Sequence, residues 1–376
     1  MADYSLAINA NVSSGKEFKV YIGQDATVGA KNASSNGVTM YRMDIEGITL
    51  PTFSPNQEFE MRSGAGRIAE FGQLFSSSKR TVTEVSLSGR MTLQDLPILM
   101  ENVFNQEVST NLLEVATGYS PTPFKHGDSM SSATDWSKTL TIVFIAPTSA
   151  DSYALKGCCC TNLSLSADLT SASGRYNYSA TFQTQYLPEK GAHSVSNAKE
   201  LTTDLGATNV FMSDQGSKDM NIMEVNSNGD DHTSINPLFS NITLTIDAPS
   251  LFLGSQGSDA EPEVIGRSVP EMTITVGGSV KYDTETDKLI EAFRDGGQDS
   301  YVQLILNNKG VTSNLETLGS IAIAGDNEQL FGFIVPKAKL TSAEVSSEDV
   351  SSVNFEMKVV DPEANKIIHI ATGATA

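Results

Sequence analysis

From Val82 onward, apolar residues fall on alternate positions at Val85, Leu87, Met91 and Leu93, the rhythm of a strand with one buried face. Gly89 interrupts this run and predicts a bulge. The period then changes. Leu96, Leu99, Met100, Val103 and Phe104 repeat at i, i+3, i+4 and i+7, which predicts a helix over Asp95–Asn105. The Asp95 carboxylate is expected to accept an N-terminal amide hydrogen, and Pro97 fits the first turn. About 190 residues later the succession returns. Met272, Ile274 and Val276 alternate, Gly277 and Gly278 interrupt, and Leu289, Ile290 and Phe293 form a second helical stripe near Thr286–Arg294. Thr284 or Thr286 is the expected cap of that helix, with Asp287 in its first turn.

Other segments match in order. Phe18–Ile22 reads as an early strand, and Met43, Ile45 and Ile48 lead into LPTFSP, where prolines end a strand. Trp136–Ala146 reads as a central strand whose counterpart is Tyr301–Asn307. Leu163, Leu165, Ala167 and Leu169 precede the turn SASG, and Tyr176, Tyr178, Ala180 and Phe182 return. In the second half, Leu340 and Val345 precede SSEDVSS, and Val353, Phe355, Met357 and Val359 return. Gly157 and Gly332 hold equivalent places. The expected fold is mainly β, with two similar β-sandwich or barrel domains, each with one short flanking helix. Residues 1–40 form an N-terminal arm, 41–190 the first domain, 191–237 a linker or insertion, and 238–376 the second domain.

Charge and chemistry narrow the function. The net charge of −20 is uneven: residues 1–190 hold 18 acids and 14 bases, and 191–376 hold 27 acids and 11 bases. That balance argues against nucleic acid bound by neutralising its phosphates. No run is apolar enough for a membrane helix, and MADYSLAINA is not expected to be a secretory signal. Cys158, Cys159 and Cys160 are adjacent and read as small hydrophobes in a reducing compartment. His126, His193, His232 and His369 are scattered, and Asp230–Asp231 lacks the remaining ligands of a calcium loop. The sequence therefore predicts no catalytic residue, no metal site and no cofactor. Its edge strands and glycine-rich hairpins predict self-assembly instead.

The residues VSLSGRMTLQDLPILMENVF and LKGCCCTNLSLSADLTSASGRYNYSATFQTQ, with their weaker repeat, resemble the major tail tube proteins of long-tailed bacteriophages, in the variant with two fused tube domains. The resemblance covers about residues 40–190 and 238–372. It implies two tail-tube-like domains and trimeric, pseudo-hexameric rings stacked into a tube. DNA would pass through that tube without specific binding. Partners would be further copies of the chain and other phage tail proteins. The setting would be the virion, assembled in the host cytoplasm with no membrane involved. The strands near Arg90–Leu93, Ser279–Tyr282, Leu163–Phe182 and Lys339–Phe355 would line the inner barrel. The loop Glu58–Arg80 resembles the loop that contacts the next ring, presenting Phe59, Met61, Arg62, Ile68, Phe71, Leu74 and Phe75. Its counterpart PSLFLGSQGSDAEPEVIGRSV is shorter and more acidic. Other readings of the same pattern are a tail terminator, baseplate hub or capsid decoration protein, or a carbohydrate-binding or adhesin module. The last would need an aromatic platform, and Trp136 is the single tryptophan.

Overall fold

A computed structural model of the chain describes residues 17–25, 39–51, 56–59, 74–77, 82–92, 95–104, 122–124, 139–168, 174–195, 198–201, 220–225, 232–235, 239–254, 262–267, 272–284, 286–287, 290, 301–307, 330–346, 351–359 and 368–373. Among these the fold is mainly β, with one large mixed sheet and a single α-helix.

The first half contributes β1 (Lys19–Gln24), β2 (Met40–Arg42), β3 (Ile45–Ile48), β4 (Asn56–Phe59), β5 (Leu74–Ser77) and β6 (Thr83–Arg90). Helix α1 (Asp95–Phe104) follows, then β7 (Thr122–Phe124), β8 (Leu140–Ile145), β9 (Tyr153–Asp168), β10 (Tyr176–Thr184), β11 (Glu189–Lys190) and β12 (Ala198–Lys199). The second half contributes β13 (Met220–Val225), β14 (His232–Ile235), β15 (Phe239–Asp247), β16 (Ser250–Gly254), β17 (Pro262–Arg267) and β18 (Thr273–Lys281). The last strands are β19 (Tyr301–Asn307), β20 (Leu330–Ser346), β21 (Ser352–Val359) and β22 (Ile368–Gly373).

Strand β9 belongs to two layers. Its first residues pair with β8, and from Cys159 onward it pairs with β10. Gly157 lies at the irregularity in the β8 pairing, between the paired residues Leu155 and Cys158, at φ 62°, a left-handed conformation that glycine adopts without a steric penalty. Strand β8 also pairs with β1, and β1 with β2. In the other layer the neighbours run β3–β6–β10–β9–β15–β18–β21–β20. Strand β20 divides like β9: its first residues pair with β19, and from Ala338 onward it pairs with β21. Strand β19 pairs with β13, and β13 with β14. The segment 191–237, polar in sequence, thus supplies three ladder strands, β12 (parallel to β2), β13 and β14. Hairpins β4–β5 and β16–β17 each leave the sheet between neighbouring strands, after β3 and after β15.

Alternation explains the burial. In β6, Val85 and Leu87 point inward while Glu84, Ser86, Ser88 and Arg90 point out. The inward faces join Ile22, Ile142 and Phe144 of the first layer and continue through Leu244, Val276 and Phe355 in one core. Helix α1 covers this core with Leu96, Leu99, Met100, Val103 and Phe104, each at most 1 % exposed. Burying each such side chain is worth roughly 1.5–3 kcal/mol.

Three local expectations change. Strands β6 and β18 run unbroken through Gly89 and Gly277–Gly278, while the register shifts fall on their neighbours β3 and β15. The glycines serve close approach instead. A Cβ on Gly89 would overlap the Asp44 carbonyl oxygen, and one on Gly278 would stand 2.8 Å from the Asn241 oxygen. The caps also differ. Thr92 caps α1, its hydroxyl accepting the Asp95 amide at 3.3 Å. At the second turn Asp283 is the cap: its carboxylate accepts the Thr286 amide at 3.0 Å, and the Thr286 hydroxyl accepts the Asp283 amide at 2.8 Å.

Candidate functional site

The outward face of the run from β3 to β20 is lined by hydroxyls, amides and interspersed charges. Register places Ser88, Ser179, Ser164, Thr245 and Thr275 in one row across β6, β10, β9, β15 and β18. The next row holds Ser86, Thr181, Asn162, Asp247 and Thr273. Hydroxyls meet at 3.2 Å between Ser86 and Thr181 and at 3.3 Å between Ser164 and Thr245. The Asn162 amide donates to Asp247, and Gln183 donates to Glu84 at 3.0 Å. This face carries the acids Glu84, Asp168, Asp247, Glu344 and Glu356 and the bases Arg90, Lys281, Lys339 and Lys358, the last two directly opposed. No continuous basic track forms among the described residues. Holding a polyanion by neutralising its charge would need clustered Lys and Arg.

The ends of this run are its second feature. Residues 162–167 of β9 are paired on both sides, with β10 and β15, and Leu163, Leu165 and Ala167 are buried. The corresponding part of β20 pairs only with β21 among the described residues. Val345, which stands opposite Val353 as Ala167 stands opposite Tyr176, is 50 % exposed against 3 % for Ala167. Leu340 and Ala343 are half-buried. At the other end β3 pairs only with β6 among the described residues, and Ile45, Ile48 and Leu50 are half-buried where Ile242, Leu244 and Ile246 of β15 are fully buried. The sequence places Ile45, Ile48, Leu340 and Val345 in strands without marking those strands as edges. Only the pairing register shows Val345, exposed beside Glu344, as the outermost row.

Buried polar groups fix the layers that carry this face. The Asp25 carboxylate, after β1, accepts hydrogen bonds from the Thr139 hydroxyl at 2.7 Å, the Thr141 hydroxyl at 2.5 Å and the Gly157 amide at 2.9 Å. From α1, the Asn102 side chain accepts the Cys160 amide at 2.5 Å and donates to the Cys158 carbonyl at 3.3 Å. Those are the backbone groups where β9 changes layer. Cys158, Cys159 and Cys160 are all buried and unbridged, and burial pushes the Cys158 thiol up, beyond nucleophilic use at neutral pH. Asp95 is 1 % exposed, and its carboxylate accepts no backbone amide of the helix it begins. Burial pushes its pKa up to about 7; the Thr92 hydroxyl opposes this and the Asp44 charge adds to it. At the outer surface Glu200 accepts from the Tyr21 hydroxyl at 2.6 Å and pairs with Arg42 at 2.9 Å, which holds the segment after β12 against β1 and β2.

The loop residues named from sequence divide. Phe59 and Leu74 are directly opposed, and Phe75 stands opposite Glu58, in the β4–β5 ladder. Met61, Arg62, Ile68 and Phe71 lie outside the described residues. So do Leu289 and Phe293, while Ile290 packs half-buried against the core. The β16–β17 hairpin is anchored by Phe252, which packs on Cys159 and Tyr186.

No group of His, Cys, Asp and Glu with metal-ligand geometry occurs among the described residues. No described helix is long and apolar enough to cross a membrane. Neither a protein-family model nor a curated protein sequence matches the chain. The functional reading therefore rests on the edges, the polar face and the hairpins.

Proposed function

We propose that this chain is a structural virion protein of the tail-tube type, one that closes into rings and stacks them into a conduit for DNA. The observation that carries the reading is the arrangement of strand neighbours. The order β3–β6–β10–β9 is followed, edge to edge, by β15–β18–β21–β20. In the other layer, β2–β1–β8–β9 is matched by β14–β13–β19–β20. Gly89 approaches Asp44 as Gly278 approaches Asn241, which supports a duplicated β domain. On this reading the repeats begin at β1 and β13, earlier than residues 41 and 238.

Two copies joined head to tail leave, among the described residues, one unpaired edge of each kind, the condition for a heterologous interface that closes into a ring. Three chains would give six such domains. The face of hydroxyls, amides and mixed charge would line the lumen, where a polyanion must slide without being trapped. Electron microscopy of the purified full chain tests the proposal. Annular particles or tubes with six-fold pseudo-symmetry are expected; a chain that remains monomeric at high concentration, with no annular species, overturns it.

A further inference from the structure

We infer that the contact between chains reproduces the β9–β15 junction residue for residue, so that β20 of one copy pairs antiparallel with β3 of the next, placing Val345 opposite Ile45, Ala343 opposite Ile48 and Leu340 opposite Leu50. This inference rests on the ring-forming reading above and fixes the register of its interface.

The register follows from equivalent positions. Ala167 lies opposite Ile242, Leu165 opposite Leu244, and Leu163 opposite Ile246. Their pairings with β10 identify Val345, Ala343 and Leu340 as the β20 counterparts, through Val353, Phe355 and Met357 of β21. The glycine contacts identify the others: Asp44 is to Gly89 what Asn241 is to Gly278, so Ile45 answers to Ile242. Past the shift between Ile45 and Gly47, Ile48 stands opposite Leu87 as Leu244 stands opposite Val276. The apolar residues left half-buried or exposed at one edge thus meet those left half-buried at the other. A shift of one residue would set the inward-facing Val345 and Ala343, fixed by β21, opposite β3 residues that face the polar side. The hydroxyl contact of Ser164 with Thr245 would recur as Ser342 with Thr49.

The test is oxidation of full-length variants. In Ile45→Cys/Val345→Cys the new thiols sit at opposite edges of the sheet in one chain, so their disulfide links different chains. Covalent species up to a closed trimer are expected, at least tenfold more abundant than in the out-of-register pair Ile45→Cys/Ala343→Cys. Hydrogen exchange on the unmodified chain supplies a second measurement: amides within 340–346 and 45–50 should slow at least tenfold on assembly. Annular particles without preferential crosslinking and without that protection overturn this register while leaving ring formation intact. A chain that never leaves the monomer overturns both.

Discussion

The Cα of Gly89 faces the carbonyl oxygen of Asp44 with no room for a Cβ between them. This is a backbone-to-backbone contact, so no side chain can rotate away. Gly89→Ala should destabilise the fold by about 3 kcal/mol or more, and Gly278→Ala, with 2.8 Å to the Asn241 oxygen, by about 1 kcal/mol. Urea unfolding of both variants checks the ordering. Equal, small losses would mean that the β3 and β15 backbones yield freely.

Much of the architecture was legible because alternation and the helical stripe are local signals. Leu96 to Phe104 form the buried face of α1, and Val353 to Val359 the buried face of β21. The glycines misled because a bulge and a close approach leave the same mark in sequence. The caps misled for a related reason: Thr92 and Asp95 can exchange roles, as can Asp283 and Thr286, and only the entry angle of the chain decides. Within the polar stretch before Pro237, Ile222–Val225 reads as no more than a short apolar element and HTSI carries too little alternation to read as a strand; pairing orders them, β13 with β19 and β14 with β13. The edge of β20 needed the pairing register before Val345 had a meaning.

The Asp25 clasp ties the end of β1 to β8 and to the layer change in β9. Asp25→Ala would leave the Gly157 amide and two buried hydroxyls without their acceptor, at a cost of about 3–5 kcal/mol. Asp25→Asn keeps one acceptor oxygen and should cost roughly half of that. Gly157→Ala should be as harmful as the Ala variant at Asp25, since it combines φ 62° with a clash against the Tyr186 ring. Thermal unfolding distinguishes these outcomes from a loose, solvated loop, for which all three losses would stay small.

Stability should fall as pH rises from 4 to 7. The folded pKa of Asp95 is raised to about 7, whereas the unfolded chain titrates near the ordinary carboxylate value. Between those values the folded state holds a proton that the unfolded state has lost. The contribution is therefore fully present at low pH and lost as pH passes the folded value. Its size is on the order of 4 kcal/mol. Burial also raises the neighbouring Asp44, which adds a slope of the same sign. Asp95→Asn should flatten most of this dependence and exceed the parent in stability at pH 8. Denaturant midpoints at pH 5 and pH 8 measure it, and an unchanged slope would show that Asp95 is ionised in the fold.

The β4–β5 hairpin provides the sharpest test of stacking. Phe59 and Leu74 are the last directly paired of the described residues in this ladder, so residues 60–73 can be replaced by Asn-Gly, a favourable two-residue turn. The excised segment carries Met61, Ile68 and Phe71, apolar side chains worth roughly 1.5–3 kcal/mol each if buried against a neighbour. None of the strands that enclose the common core is touched, so the shortened chain should unfold at nearly the parent temperature. Ring closure uses β3 and β20 and should persist. What should disappear is the growth of rings into tubes, seen as single annular particles by microscopy and a sedimentation coefficient that no longer rises with concentration. Long tubes from the shortened chain would remove this loop from the stacking contact. A chain that cannot fold would place residues 60–73 in the core instead.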